Sequence, residues 1–208
     1  AFWEAYLMKS NKILSVREQI ADVLRSDIIS GELEPNTKLN EQQLAERFGT
    51  SRGPIRDVLI KLTKEGLLVS KDNVGSSVSS PLTPELQKLS IDIRRKIEEH
   101  AVKQLENNIS EADLARMDGI IDRMQEHFDK EEFTDLTKTD IEFHKYFVGL
   151  AGGEDLTNLW YPVVLRMRMN YQRIRNSQTL VDEHRHIVDA LRKNDLKLAI
   201  SSIRKNIK

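Results

Sequence analysis

The chain has 208 residues, 39% of them hydrophobic and 31% charged, with a formal net charge of −1. That length supports two small domains or one large one, each with its own core, and the composition is that of a folded protein. The near-zero charge excludes wholesale attraction to nucleic acid, the absence of cysteine excludes disulfide and thiolate chemistry and fits a reducing cytoplasm, and no apolar run reaches the ~18 residues of a membrane span. The opening AFWEAYL carries neither a basic start nor a small-residue cleavage site, so no secretory signal is expected, and Met8 is a candidate natural start.

Val16, Ile20, Val23, Leu24 and Ile28 recur at helical spacing, and Gly31 ends that run. After a turn at Pro35 and Asn36, Asn40 followed by Gln43 resembles a capping box for a short helix over Glu41–Phe48. Gly49 closes it, and Thr50 or Ser51 caps a third helix with the apolar stripe Ile55, Val58, Leu59 and Leu62, stopped by Gly66. Leu67–Lys71 and Ser76–Ser80 are β-prone runs flanking the turn Asp72-Asn73-Val74-Gly75, which predicts a hairpin. Helix, helix–turn–helix and hairpin make a winged helix.

The stretch SSVSSPLTP (Ser76–Pro84) is the one clear seam, which divides the chain into domains at 8–80 and 81–208. Beyond it the caps mark about six helices, roughly 84–107, 110–131, 133–151, 154–176, 178–193 and 195–208. Short connections predict an antiparallel helical bundle. The fold class is therefore mainly α, a winged helix-turn-helix followed by an all-α bundle.

Arg52 and Arg56 lie one turn apart at the start of the third helix, beside its apolar stripe. A recognition helix offers such N-terminal side chains to base edges in the major groove, where arginine pairs best with guanine. From Arg47 to Lys71 there are six basic residues (Arg47, Arg52, Arg56, Lys61, Lys64 and Lys71) and two acidic (Asp57 and Glu65), a local surplus hidden by the global charge. Ser51 and Lys71 join the candidate contacts, and a hairpin tipped by Gly75 suits a wing on phosphate or minor groove. The alternative is a charged, solvated helix on a winged helix used for protein contacts.

The segment SGELEPNTKLNEQQLAERFGTSRGPIRDVLIKLTKEGLL, with its glycine-tipped wing, resembles the DNA-binding domain of the GntR family of regulators over about 65 residues. The resemblance implies that Arg52, Gly53, Arg56 and Gly75 contact DNA. Many members carry a basic residue where Gln42 stands, which implies a different reading of the operator there. The second half resembles the ligand-binding domain of the FadR-like subfamily in its FCD version, through RRKIEEHA with Arg94 and Glu98, DIEFHKYF, and DEHRHIVDALRKND.

By spacing alone, Leu136, Asp140, Phe143, Phe147 and Leu150 share one side of a helix, with His144 one turn beyond Asp140 on the same edge. Leu180, His184, Ile187 and Leu191 form the inward line of the fifth helix, and His186 turns to water. Asn206 follows inward Ile203 in the last helix. Four polar groups from three helices can thus converge as a metal or ligand site, or as a hydrogen-bonded network without metal. The FCD resemblance implies that Asp140, His144, His184 and Asn206 stand at the ligand positions of one divalent transition metal (Zn, Ni or Mn). Asparagine replaces the histidine found there in metal-binding members, and its amide oxygen is a poorer ligand, so the metal is held weakly, completed by effector or water, or missing.

Arg94 is the first candidate to grip a carboxylate effector through its bidentate fork, with Arg166 and then Arg168 as further choices. The alternative for Arg94 is an ion pair with Glu98, worth about 0.3–0.5 kcal/mol on a surface. Trp160, Tyr161 and Tyr171 read as core or interface, and His100 and His127 as solvated. The leading expectation is a non-enzymatic, homodimeric transcription regulator that binds a double-stranded operator and answers to a small carboxylate. The alternatives are a metal-dependent enzyme using Asp140, His144 and His184, and a winged helix that binds protein or RNA.

Overall fold

The apolar residues collect into two separate cores, one in the unit ending at Ser79 and one in the unit starting at Ser80. The computed structural model describes residues 15–71, 75–169 and 178–208. Met8, the wing turn at 72–74, Tyr171 and the end of the helix expected over 154–176 lie outside the described residues.

In the first unit, Ser15 caps α1 (Val16–Ser30) by accepting the amide of Glu18 at 3.2 Å, and Gly31 ends it at φ 81°, where a side chain would be strained. Its inward line is Ile20, Ala21, Leu24 and Ile28, whereas Val16 and Val23 of the expected stripe are exposed. The face is rotated because Arg25 turns inward, giving Nε and Nη2 to the two oxygens of Glu65 at 2.8 and 2.9 Å. This bidentate pair ties α1 to the residue capping the far end of α3.

Asn40 opens α2 (Glu41–Arg47) by accepting the amides of Gln42 and Gln43 at 2.8 and 3.1 Å. α3 (Arg52–Lys64) buries Ile55, Val58, Leu59 and Leu62 as its stripe predicts. Ser51 stands at its N-cap position, but the hydroxyl makes no capping hydrogen bond. Two wing strands, β2 (Leu68–Lys71) and β3 (Gly75–Val78), pair antiparallel with Leu68 opposite Val78 and Lys71 opposite Gly75. A third strand, β1 (Lys38–Leu39), joins the other edge of β3, giving the order β1-β3-β2. Two residues are too few to show the alternation that marks a strand in sequence.

Among the described residues the second unit holds only helices: α4 (Pro84–Leu105), α5 (Glu111–Asp129), α6 (Phe133–Arg168), α7 (Gln178–Arg192) and α8 (Leu196–Asn206). Thr83 caps α4, Ser110 and Asp113 form a reciprocal capping box on α5, and Asp195 caps α8. α6 is broken at Gly152 and Gly153, the latter at φ 61°, so its two arms correspond to the two helices expected there. A Cβ on Gly152 would come within 2.6 Å of the Leu156 side chain, so the break needs that glycine. α6 packs on α4 and α5, α7 on α5 and α8, and α8 on α4. Leu150, expected inward, is exposed because the first arm ends beside it.

Asn40→Ala removes the acceptor for two amides at the start of the helix–turn–helix. It should lower the stability of the first unit by about 1 kcal/mol, read as a lower urea midpoint with an unchanged slope. An unchanged midpoint would show that solvent replaces the cap at no cost.

Candidate nucleic-acid interface and metal centre

The apolar stripe of α3 turns its opposite side outward, and Arg52 and Arg56 stand there with side chains 63% and 60% exposed. They border a cleft of about 740 Å³ whose lining also includes Glu41, Lys64, Ser70 and Gly75. Gly53 is exposed on the same first turn, and Gly75 opens β3 at φ 89°. The sequence-counted basic surplus is not all on this face. Arg47 pairs with Asp27 at 2.8 Å and Lys61 pairs with Glu18, both on α1. Glu41, which sequence reading passed over, receives both Arg52 and Arg56.

In the second unit Asp140, His144 and His184 meet inside the bundle, all three buried. His144 Nε2 and His184 Nε2 are 3.1 Å apart, Asp140 Oδ1 is 3.2 Å from His184 Nε2, and Asp140 Oδ1 to His144 Nε2 is 4.0 Å. Phe143 stands edge-on to both imidazoles, with centroids 5.4 and 4.7 Å away.

The second nitrogen of each ring decides what these atoms can do. His184 Nδ1 is 2.7 Å from the carbonyl of Leu180, which only accepts, so Nδ1 carries the hydrogen. His144 Nδ1 is 2.7 Å from Glu98 Oε2. Burial alone would raise the Glu98 carboxyl, but Arg94 and His144 outweigh it and hold it at about 2, so Glu98 also only accepts. Burial pushes both histidines down to about 4, with Glu98 opposing this at His144 and the Leu180 carbonyl at His184. Each neutral ring therefore presents a bare Nε2 lone pair. Two imidazole lone pairs and a carboxylate oxygen face one another with no hydrogen to share, an arrangement that a cation satisfies. Ligand atoms about 2.1 Å from one ion sit roughly 3–3.5 Å apart. Both contacts of His184 Nε2 meet that spacing and the 4.0 Å between Asp140 and His144 exceeds it, so the three residues form a candidate site for a divalent transition metal that needs a small inward shift of Asp140 or His144.

The surrounding charges hold this set in place. Glu98 Oε1 accepts Arg94 Nε and Trp160 Nε1, each at 2.7 Å, and the Arg168 guanidinium binds the other oxygen of Asp140. The Arg94–Glu98 pair is buried at 3% and 0%, so its surface value does not apply. Among the described residues the hydrogen bonding of Arg94 is confined to Nε, which leaves its Nη1 and Nη2 edge open. Arg166 does not join the centre. It donates to the Ser80 carbonyl at 3.1 Å and to Met169 Sδ at 3.0 Å. Asn206 is half-buried and donates Nδ2 to Glu183 at 3.4 Å.

Trp160 is wholly buried and stacks on Tyr161. His100 and His186 are exposed, while His127 is half-buried 2.7 Å from Glu132. Of Glu98, Arg168 and Trp160, Glu98 alone had a local signal for its role, since Arg94, Glu98, Ala101 and Leu105 share an inward line on α4. Among the described residues no helix is long and apolar enough to cross a membrane.

Comparison with known proteins gives two consecutive family matches. Residues 16–78 match the bacterial regulatory proteins of the gntR family, and residues 90–208 match the FCD domain. An HTH-type transcriptional regulator of Bacillus subtilis, YdhC, is 28% identical over 190 residues, covering 87% of this chain and 83% of that protein. The HTH-type transcriptional repressor RspR of Escherichia coli is 26% identical over 189 residues, covering 89% and 82%. Among solved structures, E. coli McbR/YncC superposes with a TM-score of 0.79 at 18% identity, covering 94% of each chain, a likeness of fold.

If the lone-pair geometry serves a metal, the purified chain equilibrated with Zn, Ni or Mn should retain about one ion after desalting. Glu98→Gln removes the acceptor that orients His144 and should weaken retention by roughly 10–100-fold. Elemental analysis with chelator competition checks both. Equal retention by wild type, Glu98→Gln and His184→Ala would leave a metal-free hydrogen-bonded network.

Proposed function

The chain belongs to the GntR family of bacterial regulatory proteins, in the branch whose winged helix precedes an FCD domain, and from that premise we propose how its two units divide the work. The protein is a DNA-binding transcription regulator, and its FCD domain is the effector-binding domain. In our reading Arg52 and Arg56 read base edges in the major groove, with Gly53 allowing close backbone approach. Ser51, Lys71 and Gly75 lie against the sugar–phosphate backbone. The observation that supports this most is the exposed arginine pair, one turn apart at the head of α3 and beside the cleft that Gly75 borders.

In the helical unit, Asp140, His144 and His184 would hold one divalent transition metal, with positions left for an outside ligand. When bound, that ion supplies a Lewis-acid anchor for a carboxylate. Arg94 adds the second grip through its open guanidinium edge, and its charge is near enough to both histidines to lower their basicity. Asn206, committed to Glu183, leaves the fourth histidine position of the family unfilled, which favours an ion completed by effector or water. Arg166 is better placed to hold the start of this unit than to touch the effector.

The centre is read as a sensor rather than a catalyst. A general base needs a basicity near neutrality, whereas Glu98 lies at about 2 and already accepts from three donors. The working form is a homodimer addressing two half-sites. The exposed line Leu86, Leu89 and Ile93 on α4 supports an interface between copies. The effector changes operator affinity only through its different affinity for two dimer arrangements.

Arg52→Ala and Arg56→Ala should each cost about 1–3 kcal/mol in binding to a duplex selected from a random pool, with relaxed sequence preference. Wild-type affinity and selectivity in both would remove these side chains from the reading face. Arg94→Lys keeps the charge but loses the fork. It should lower affinity for small mono- and dicarboxylates at least tenfold in thermal-shift titrations, with DNA binding by the unliganded protein intact. An unchanged carboxylate response would remove Arg94 from the effector site.

A further inference from the structure

The reading face of a DNA-binding unit is an expensive place for an anion, yet Glu41 stands in it. It is the first residue of α2, with a side chain 26% exposed, and it lines the same cleft as Arg52 and Arg56. Its carboxylate does not point away to solvent. Arg56 donates Nε to Oε1 at 3.1 Å and Nη2 to Oε2 at 2.9 Å, and Arg52 donates Nη2 to Oε2 at 3.3 Å. These contacts run from α2 to α3 across the turn, over 11 and 15 residues of sequence. A carboxylate at a helix N-terminus is favourable by itself, but that role does not require it to reach two guanidinium groups on the next helix.

We propose that Glu41 is a positioning residue of the reading face: it holds the forks of Arg52 and Arg56 side by side and fixes which edge of each meets the bases. The proposal rests on the base-reading role assigned above to the two arginines, and the donor count allows it. A guanidinium has five N–H groups. Arg56 commits Nε and one hydrogen of Nη2, so its Nη1–Nη2 edge remains for a bidentate pair with guanine. Arg52 commits one hydrogen only. Both arginines therefore stay competent while their long side chains, which carry about 2 kcal/mol of rotamer entropy each, are ordered before DNA arrives. The same carboxylate lowers the local charge from two positive to one, which weakens the sequence-independent pull on phosphate. Non-specific affinity is given up for discrimination. The Glu41 carboxyl is held below its usual range chiefly by the Arg56 hydrogen bond, so the clamp is charged at neutral pH.

Three variants separate position from charge: Glu41→Asp, which keeps the charge but is too short to span both arginines, and Glu41→Gln and Glu41→Ala, which remove it. Each is titrated by fluorescence anisotropy against a duplex selected by the wild-type chain from a random pool and against a scrambled duplex of equal length. Circular dichroism melts check folding. Expected is a fall of about tenfold or more in the ratio of selected to scrambled affinity for all three. Scrambled-duplex affinity should rise in Glu41→Gln and Glu41→Ala and stay unchanged in Glu41→Asp. A wild-type ratio in Glu41→Asp, or an equal gain on both duplexes in Glu41→Gln, would overturn the proposal and leave Glu41 a repulsive charge alone. Arg52→Ala and Arg56→Ala are run on the same duplexes. If they keep the wild-type ratio, the base-reading assignment has failed; if they lose it while Glu41→Asp keeps it, only the clamp has failed.

Discussion

A single buried carboxylate sets the chemistry of the helical unit. Glu98 has no exposure to solvent, and in that setting an ionised acid persists only if it is paired and fully hydrogen-bonded. Its partners are Arg94 from its own helix, His144 from the first arm of α6 and Trp160 from the second. One side chain thus joins α4 to both sides of the Gly152–Gly153 break. Because Glu98 accepts and cannot donate, His144 must carry its hydrogen on Nδ1, and the Nε2 lone pair is left for the interior. The tautomer follows from the carboxylate, and the metal-accepting geometry follows from the tautomer. Removing Glu98 would do more than delete an acceptor, since it would leave Arg94 as a buried charge without its counterion.

Ion pairs solve a related problem in the winged helix. Arg25 is buried against Glu65, and this pair ties α1 to α3 where an apolar residue would have given only packing. Arg47 and Lys61 are drawn to acids on α1. Much of the basic surplus near the turn is thereby spent within the protein, and the outward charge narrows to the arginine pair on α3 with Lys64 beside the cleft. That economy is consistent with a chain whose formal charge is −1 but whose task is to meet a polyanion. Among the described residues the outward attraction is centred on that helix face, so sequence preference competes less with attraction over the rest of the surface.

The helical period made much of this visible in the residues themselves. Asp140 and His144 are one turn apart, and His184 lies on the line of Ile187 and Leu191, so inward placement of all three could be read from spacing, and the structure brings them together. Caps were equally visible, since Asn40, Thr83, Ser110 and Asp195 precede their helices as polar residues at sharp changes of pattern. What spacing cannot show is which distant side chain completes a buried charge. Glu98 and His144 are 46 residues apart, and Asp140 and Arg168 are 28 apart. Arg168 read only as a further choice for gripping an effector, not as the partner of Asp140, and Glu41 gave no signal at all. Val16 and Leu150 fit their periodic lines yet are exposed, one in the first turn of its helix and one at the end of an arm, where no described neighbour covers them.

The end of α6 makes two contacts at once. Arg168 holds Asp140, and Arg166, two residues before it, holds the carbonyl of Ser80, the first residue of the helical unit. The helix end that completes the buried centre is thus also the one that grips the chain where it enters this unit. A ligand that competes with Arg168 for Asp140, or draws Asp140 toward an ion, acts on that helix end directly. Proximity alone does not make this a switch, because coupling requires the ligand to favour one arrangement over the other. A fivefold to 150-fold effect on operator affinity asks for only about 1–3 kcal/mol of such preference. Breaking one buried, charge-assisted hydrogen bond such as Arg168–Asp140 is worth about that much, so a change at this one contact is of sufficient size without any larger rearrangement of the core.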